Sequence, residues 1–118
     1  MKGLEAILCE SLVAADRAGV ADRVLASIQG TFPDLDWRKL ATYHMGRMAQ
    51  HGRRRAIEMD SVADTLRDLG MDPFTAVGSG QRQMWVAELG LRDRFGPKGP
   101  DTLEDFLAAV ADADQPKD

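Results

Sequence analysis

The sequence predicts an all-α fold, and three observations carry that expectation. Apolar residues recur at three- and four-residue steps through most of the 118-residue chain, glycine or proline punctuates each periodic run, and no stretch alternates as a strand would. The segment His51–Gly70 shows all of this at once. Ala56, Met59, Val62, Ala63, Leu66 and Leu69 fall on one helical face, Arg54 and Glu58 stand four apart on the other, and Gly70 provides a stop. Asp72 and Pro73 then read as the start of the next helix.

The remaining elements follow in order. Residues 1–18 carry a stripe of Leu4, Ile7, Leu8, Leu12 and Ala15, closed by Gly19. A second helix uses Val20, Val24, Leu25 and Ile28 and ends near Gly30. Residues 31–36 form a connector in which Asp36 is the N-cap of a third helix with Trp37, Leu40, Ala41, Met45 and Met48 inward. Whether that helix bends at Gly52 or runs straight into the central one is open at this level. Phe74, Val77, Gln81, Met84, Trp85 and Leu89 mark the face of a further helix, and Gly78 and Gly80 within it suit a close approach of another backbone. Residues 92–100 read as a loop. Asp101 and Glu104 open a last helix as a capping-box pattern, with Leu103, Phe106, Leu107 and Val110 inside. The expected organisation is one globular domain of about six helices over residues 1–111 and an acidic flexible tail over 112–118.

Composition removes several functions. A net charge of −4 and few aromatics disfavour nucleic acid as a partner. One cysteine, Cys9, excludes an internal disulfide and suits a buried thiol. Two histidines without carboxylates or cysteines at ligand spacing give no metal site. No apolar run reaches membrane-span length and no signal-peptide pattern is present, which points to the cytoplasm and no membrane. Gly78-Ser79-Gly80 lacks the preceding strand and third glycine of a dinucleotide fingerprint.

What remains is basic. Between Trp37 and Arg55 lie Arg38, Lys39, Arg47, Arg53, Arg54 and Arg55, both histidines and no acid. Such a run can hold a carboxylate or phosphate, since guanidinium groups bind both in bidentate fashion, or can be a solvated face paired from elsewhere. Arg53, Arg54 and Arg55 fan over roughly 200° of a helix, so they cannot share one cleft. Arg54 suits a pair with Glu58. Arg55, bordering the apolar stripe with His51 one turn before it, is the arginine expected to face an anionic substrate. His44 reads as a packed residue.

Lys2-Gly3-Leu4-Glu5-Ala6-Ile7-Leu8 with Glu10, Ala14-Ala15 and Ala18-Gly19-Val20 resembles the first half of a known helical domain. His51-Gly52-Arg53-Arg54-Arg55-Ala56, with Glu58-Met59, Val62-Ala63, Thr65-Leu66, Leu69-Gly70 and Pro73, resembles its central signature, and Gly90-Leu91, Phe95-Gly96 and Pro100 its closing segment. The domain is the C-terminal one of NAD(P)-dependent oxidoreductases of the 6-phosphogluconate and 3-hydroxyisobutyrate dehydrogenase superfamily. The resemblance implies an all-α, 6-phosphogluconate dehydrogenase C-terminal-like domain that completes a substrate cleft and forms a homodimer. The cofactor, NAD or NADP, would sit on an N-terminal Rossmann domain absent from this chain. The family's catalytic lysine would fall about two turns before Lys2. Ile57 and Glu58 stand where relatives carry a Lys-Asp pair. Lys2, His51, Arg55 and Glu58 are therefore the expected substrate contacts for a small anion. The chain alone is expected to bind no cofactor and to turn over nothing. The alternative is a stand-alone homodimerisation module without catalytic inheritance.

Overall fold

The computed structural model describes residues 1–115; the end of the expected tail, 116–118, lies outside them. Six helices hold 78% of the described residues, which makes the fold all-α. They are α1 (Lys2–Arg17), α2 (Ala21–Thr31), α3 (Trp37–Asp68), α4 (Phe74–Glu88), α5 (Leu91–Phe95) and α6 (Leu103–Ala113). The number agrees with expectation but the division does not. The third and central helices are a single 32-residue α3, and the sixth element is the short α5 inside the expected 92–100 loop.

Helix α3 does not break at Gly52 because α4 lies directly on it there. A Cβ at Gly52 would stand 2.7 Å from the Gln83 carbonyl oxygen and 3.3 Å from the Ala87 nitrogen. Further out, a Cβ on Gly80 would meet the Met59 Cβ at 3.3 Å, and Ala63 packs with Ala76. These pairings run in opposite directions, so the second half of α3 and α4 form an antiparallel hairpin held by small residues. Gly80 is thus a contact within the domain, whereas nothing lies within 4 Å of a Cβ at Gly78. At the tip, Gly70 takes φ +81° and the Met71 and Gly70 amides donate to the Leu66 and Arg67 carbonyls, closing α3. Asp72 makes no cap on α4, whose N-cap is Pro73.

The main core gathers Leu8, Leu12, Met45, Met48, Val86, Phe106 and Val110 from α1, α3, α4 and α6. The predicted inner face of α6 is the observed one, and so is that of α3 except that Val62 is 43% exposed and Leu69, at its C-cap, 71%. Two others are shifted. On α1 the buried face is Glu5, Ala6, Leu8, Cys9, Leu12, Val13 and Ala15, and Ile7 is exposed. On α4 it is Ala76, Ser79, Gly80, Gln83 and Val86, leaving Phe74 81% exposed and Gln81 outside. Burial pushes the Cys9 thiol up to about 12, so it is an unreactive core group.

Helix α6 runs past the expected tail boundary. Asp112 and Asp114 pair with Arg94 and Arg17, which ties down the first residues of that acidic segment. Its cap also differs: Thr102, not Asp101, accepts from the Asp105 amide at 3.1 Å, while Asp36 accepts from Lys39 as expected. Thr102→Ala should therefore lower stability by about 1 kcal/mol and Asp101→Ala by a few tenths at most. Urea unfolding of the two variants reads the difference, and equal losses would restore Asp101 as the cap.

Candidate functional site

The first turn of α1 lies across the middle of α3, and a buried carboxylate holds it there. Glu5 is 1% exposed. Its Oε1 accepts from Arg55 Nη1 at 2.7 Å and from Gln83 Nε2 at 3.1 Å; its Oε2 lies 2.8 Å from His44 Nδ1. Three elements thus meet on one acid. With its proton on Nδ1, His44 donates to that acid, so it is a bonded residue and not merely a packed one. Arg55 Nε and Gln83 Oε1 are buried here without a hydrogen-bond partner.

Above this node the chain is exposed and polar. Lys2 Nζ is 2.9 Å from Glu58 Oε2, and Arg54 Nε is 3.6 Å from Glu58 Oε1. The hydrogen bond from Lys2, with Arg54 and Arg55 nearby, holds the Glu58 carboxyl below its usual range.

The four expected substrate contacts are therefore sorted. Lys2 and Glu58 stand together at the surface. Arg55 turns inward to Glu5 instead of outward to a cleft, its side chain only 12% exposed. His51, one turn before Arg55 on α3, lines a groove between α3 and the residues after α5. Glu5 and Gln83 are participants that the sequence reading passed over. A signal for both existed: Glu5 stands at helical spacing from Leu8, Cys9 and Leu12, and Gln83 from Ser79, Gly80 and Val86.

That groove, about 560 Å³, is lined by Lys39, Tyr43, Arg47, Gln50, His51 and Lys98 among others. Its wall is pinned to α3. Gly46 admits Pro100, whose Cδ would lie 3.4 Å from a Cβ there, and Gln50 donates to the Gly96 carbonyl. Burial, then the fields of Arg47, Arg54, Arg55 and Arg92, push the His51 pKa down.

Residues 15–89, from late α1 to the end of α4, match the family described as a domain of unknown function, DUF1932. The chain belongs to that family. DUF1932 is the helical C-terminal domain of 3-hydroxyisobutyrate dehydrogenase-like proteins, in keeping with the resemblance of the central signature. A solved structure, a conserved hypothetical protein from Sinorhizobium meliloti 1021, is similar with a TM-score of 0.78 and 35% identity. The match covers 95% of this chain and 37% of that one, so the chain spans little more than a third of its neighbour's length. No curated protein matches. The DUF1932 match holds His44, Arg55 and Gln83, three of the four residues of the buried node; Glu5 and Lys2 precede it.

No helix among the described residues is long and apolar enough to cross a membrane. No group of three or more metal-ligating side chains occurs among them either.

Proposed function

We propose that this DUF1932 domain is the substrate-side half of an NAD(P)-dependent hydroxyacid-type dehydrogenase. The observation that carries the reading is the clamp of α1 on α3. It seats Lys2 beside Glu58 and Arg54, so that an ammonium and a guanidinium share one exposed carboxylate. A small anionic substrate can compete for those two cations, because exposed ion pairs are weak and exchange readily. Lys2 and Arg54 hold the anion in this reading, Glu58 orients Lys2, and Arg55 supports the floor through Glu5.

Gly78-Ser79-Gly80 offers a dinucleotide no phosphate cradle. Ser79 and Gly80 lie buried inside α4, where their amides are within helix and no phosphate can approach them. The cofactor, NAD or NADP, belongs in this proposal to a Rossmann domain elsewhere in the parent protein. Exposed apolar side chains at the hairpin tip, Leu69, Met71 and Phe74, support a second part of the proposal, a homodimer made through this end of the domain. They equally suit the alternative of an interaction module without catalytic inheritance.

The experiment that separates the two uses the full-length parent protein with a panel of hydroxyacids and each dinucleotide. Turnover is expected, and Lys2→Ala and Glu58→Gln should each raise KM by about fivefold or more, the loss of one charge-assisted contact. The chain alone should give no heat with NAD or NADP in calorimetry. A parent protein without dehydrogenase activity, or micromolar dinucleotide binding by the chain alone, would overturn the reading.

A further inference from the structure

Eight of the basic side chains among the described residues are in ion pairs, and six are not: Arg23, Lys39, Arg47, Arg53, Arg92 and Lys98. Four of the six gather in one place. Lys39, Arg47 and Lys98 line the one groove described above, and Arg92 acts on His51 at its edge. Asp101 is the single acid in the lining. In a chain of net charge −4, this is a concentration of uncompensated positive charge, arranged on a wall that Gly46 and Gln50 fix in place.

We propose that the groove between α3 and residues 97–101 binds a small organic phosphate. The class follows from the donors. Lys39 and Arg47 lie two turns apart on the α3 side of the groove, about 12 Å along the helix, and Lys98 stands on the facing loop, so cations border the groove from both walls. A phosphate presents three oxygens to such a set, whereas a carboxylate has two coplanar oxygens that one guanidinium satisfies. The cavity exceeds an inorganic ion and falls in the range of small-molecule sites. Tyr43, 59% exposed and in the lining, offers a ring face to the organic part. The groove is separate from the Lys2–Glu58 surface: Arg47 precedes Glu58 by eleven helical residues, roughly 16 Å along α3. The inference therefore stands whether or not the chain comes from a dehydrogenase.

The test titrates the isotopically labelled chain at low ionic strength with a sugar monophosphate, inorganic phosphate, citrate and a short mixed-sequence oligonucleotide, reading amide shifts. Saturable shifts are expected in residues 39–51 and 96–101, with the sugar phosphate binding about tenfold tighter than inorganic phosphate. Arg47→Gln with Lys98→Gln should weaken it about tenfold or more, and the exposed Lys98→Gln alone carries the test if the pair perturbs folding. The control, Arg23→Gln with Arg53→Gln, should bind as the parent chain does. Equal losses in the control, equal affinity for inorganic phosphate, or tighter binding of citrate or the oligonucleotide would each overturn the proposal.

Discussion

Arg55→Ala is expected to destabilise the domain by about 3–5 kcal/mol, a large part of the total stability of a protein this size. The cause is what it leaves behind. Glu5 is almost fully enclosed, and among the described residues Arg55 is the only permanently charged donor on it. Without the guanidinium the acid would remain in the core with only a histidine and an amide beside it, and removing one partner of a buried pair costs far more than the pair contributes. The melting temperature should fall by roughly 10–20 °C. Adding Glu5→Gln to Arg55→Ala removes the stranded acid and should recover more than half of the loss, a coupling that a double-mutant cycle measures directly. Arg53→Ala, on an exposed side chain without an ion-pair partner among the described residues, should cost a few tenths. An Arg55→Ala loss below about 1 kcal/mol would mean that water reaches Glu5, and the node would not be an anchor.

The second large effect is expected at Gly52. Alanine there gains about 1 kcal/mol of helix propensity, yet its Cβ would be driven into the backbone of α4. The atom it meets at 2.7 Å is a carbonyl oxygen, not the end of a flexible side chain, so the hairpin must open along its length. A net loss of about 2–3 kcal/mol should result, in the range of overpacked cores. Gly78→Ala provides the opposite case in the same hairpin. With open space at its Cβ, it should stabilise by about 0.5–1 kcal/mol. Denaturant unfolding of both variants checks the contrast, and a stable Gly52→Ala would mean that the two helices are not in tight contact.

These two positions also show what the sequence could convey. The helices, the stops at Gly19 and Gly70, and the inner faces of α6 and of the first half of α3 were legible because large apolar residues mark them with a clear period. The faces of α1 and α4 were legible only in part: Leu8, Leu12 and Ala15 are buried and Trp85 and Leu89 pack against the core, but Ile7, Phe74, Val77 and Gln81 face solvent. An acid in the first turn of a helix ordinarily reads as solvated and favourable to the helix dipole, so the apolar pattern runs through the exposed Ile7 and does not mark the buried Glu5. On α4 the conspicuous side chains are Phe74 and Trp85, but the packed face is made of Ala76, Ser79 and Gly80. Small residues pack by letting backbones approach, and a hydrophobicity pattern does not register them. Arg55 was rightly placed at the edge of the apolar stripe. Its direction depended on Glu5, fifty residues away, and no local pattern contains that partner.

The hairpin of α3 and α4 is unevenly supported along its length. Near Gly52 it is backed by the main core. Toward Gly70 it relies on Met59, Ala63 and Ala76, with Leu66 packed against them, while Leu69, Met71 and Phe74 stay in water. Three buried residues, two of them alanines, supply little free energy against the conformational entropy of two helix ends. Local opening at this end is therefore expected to precede the cooperative unfolding of the rest. The outer turns open and close on their own while the rest stays folded, and amide protons there exchange with solvent long before those around Met45 and Phe106.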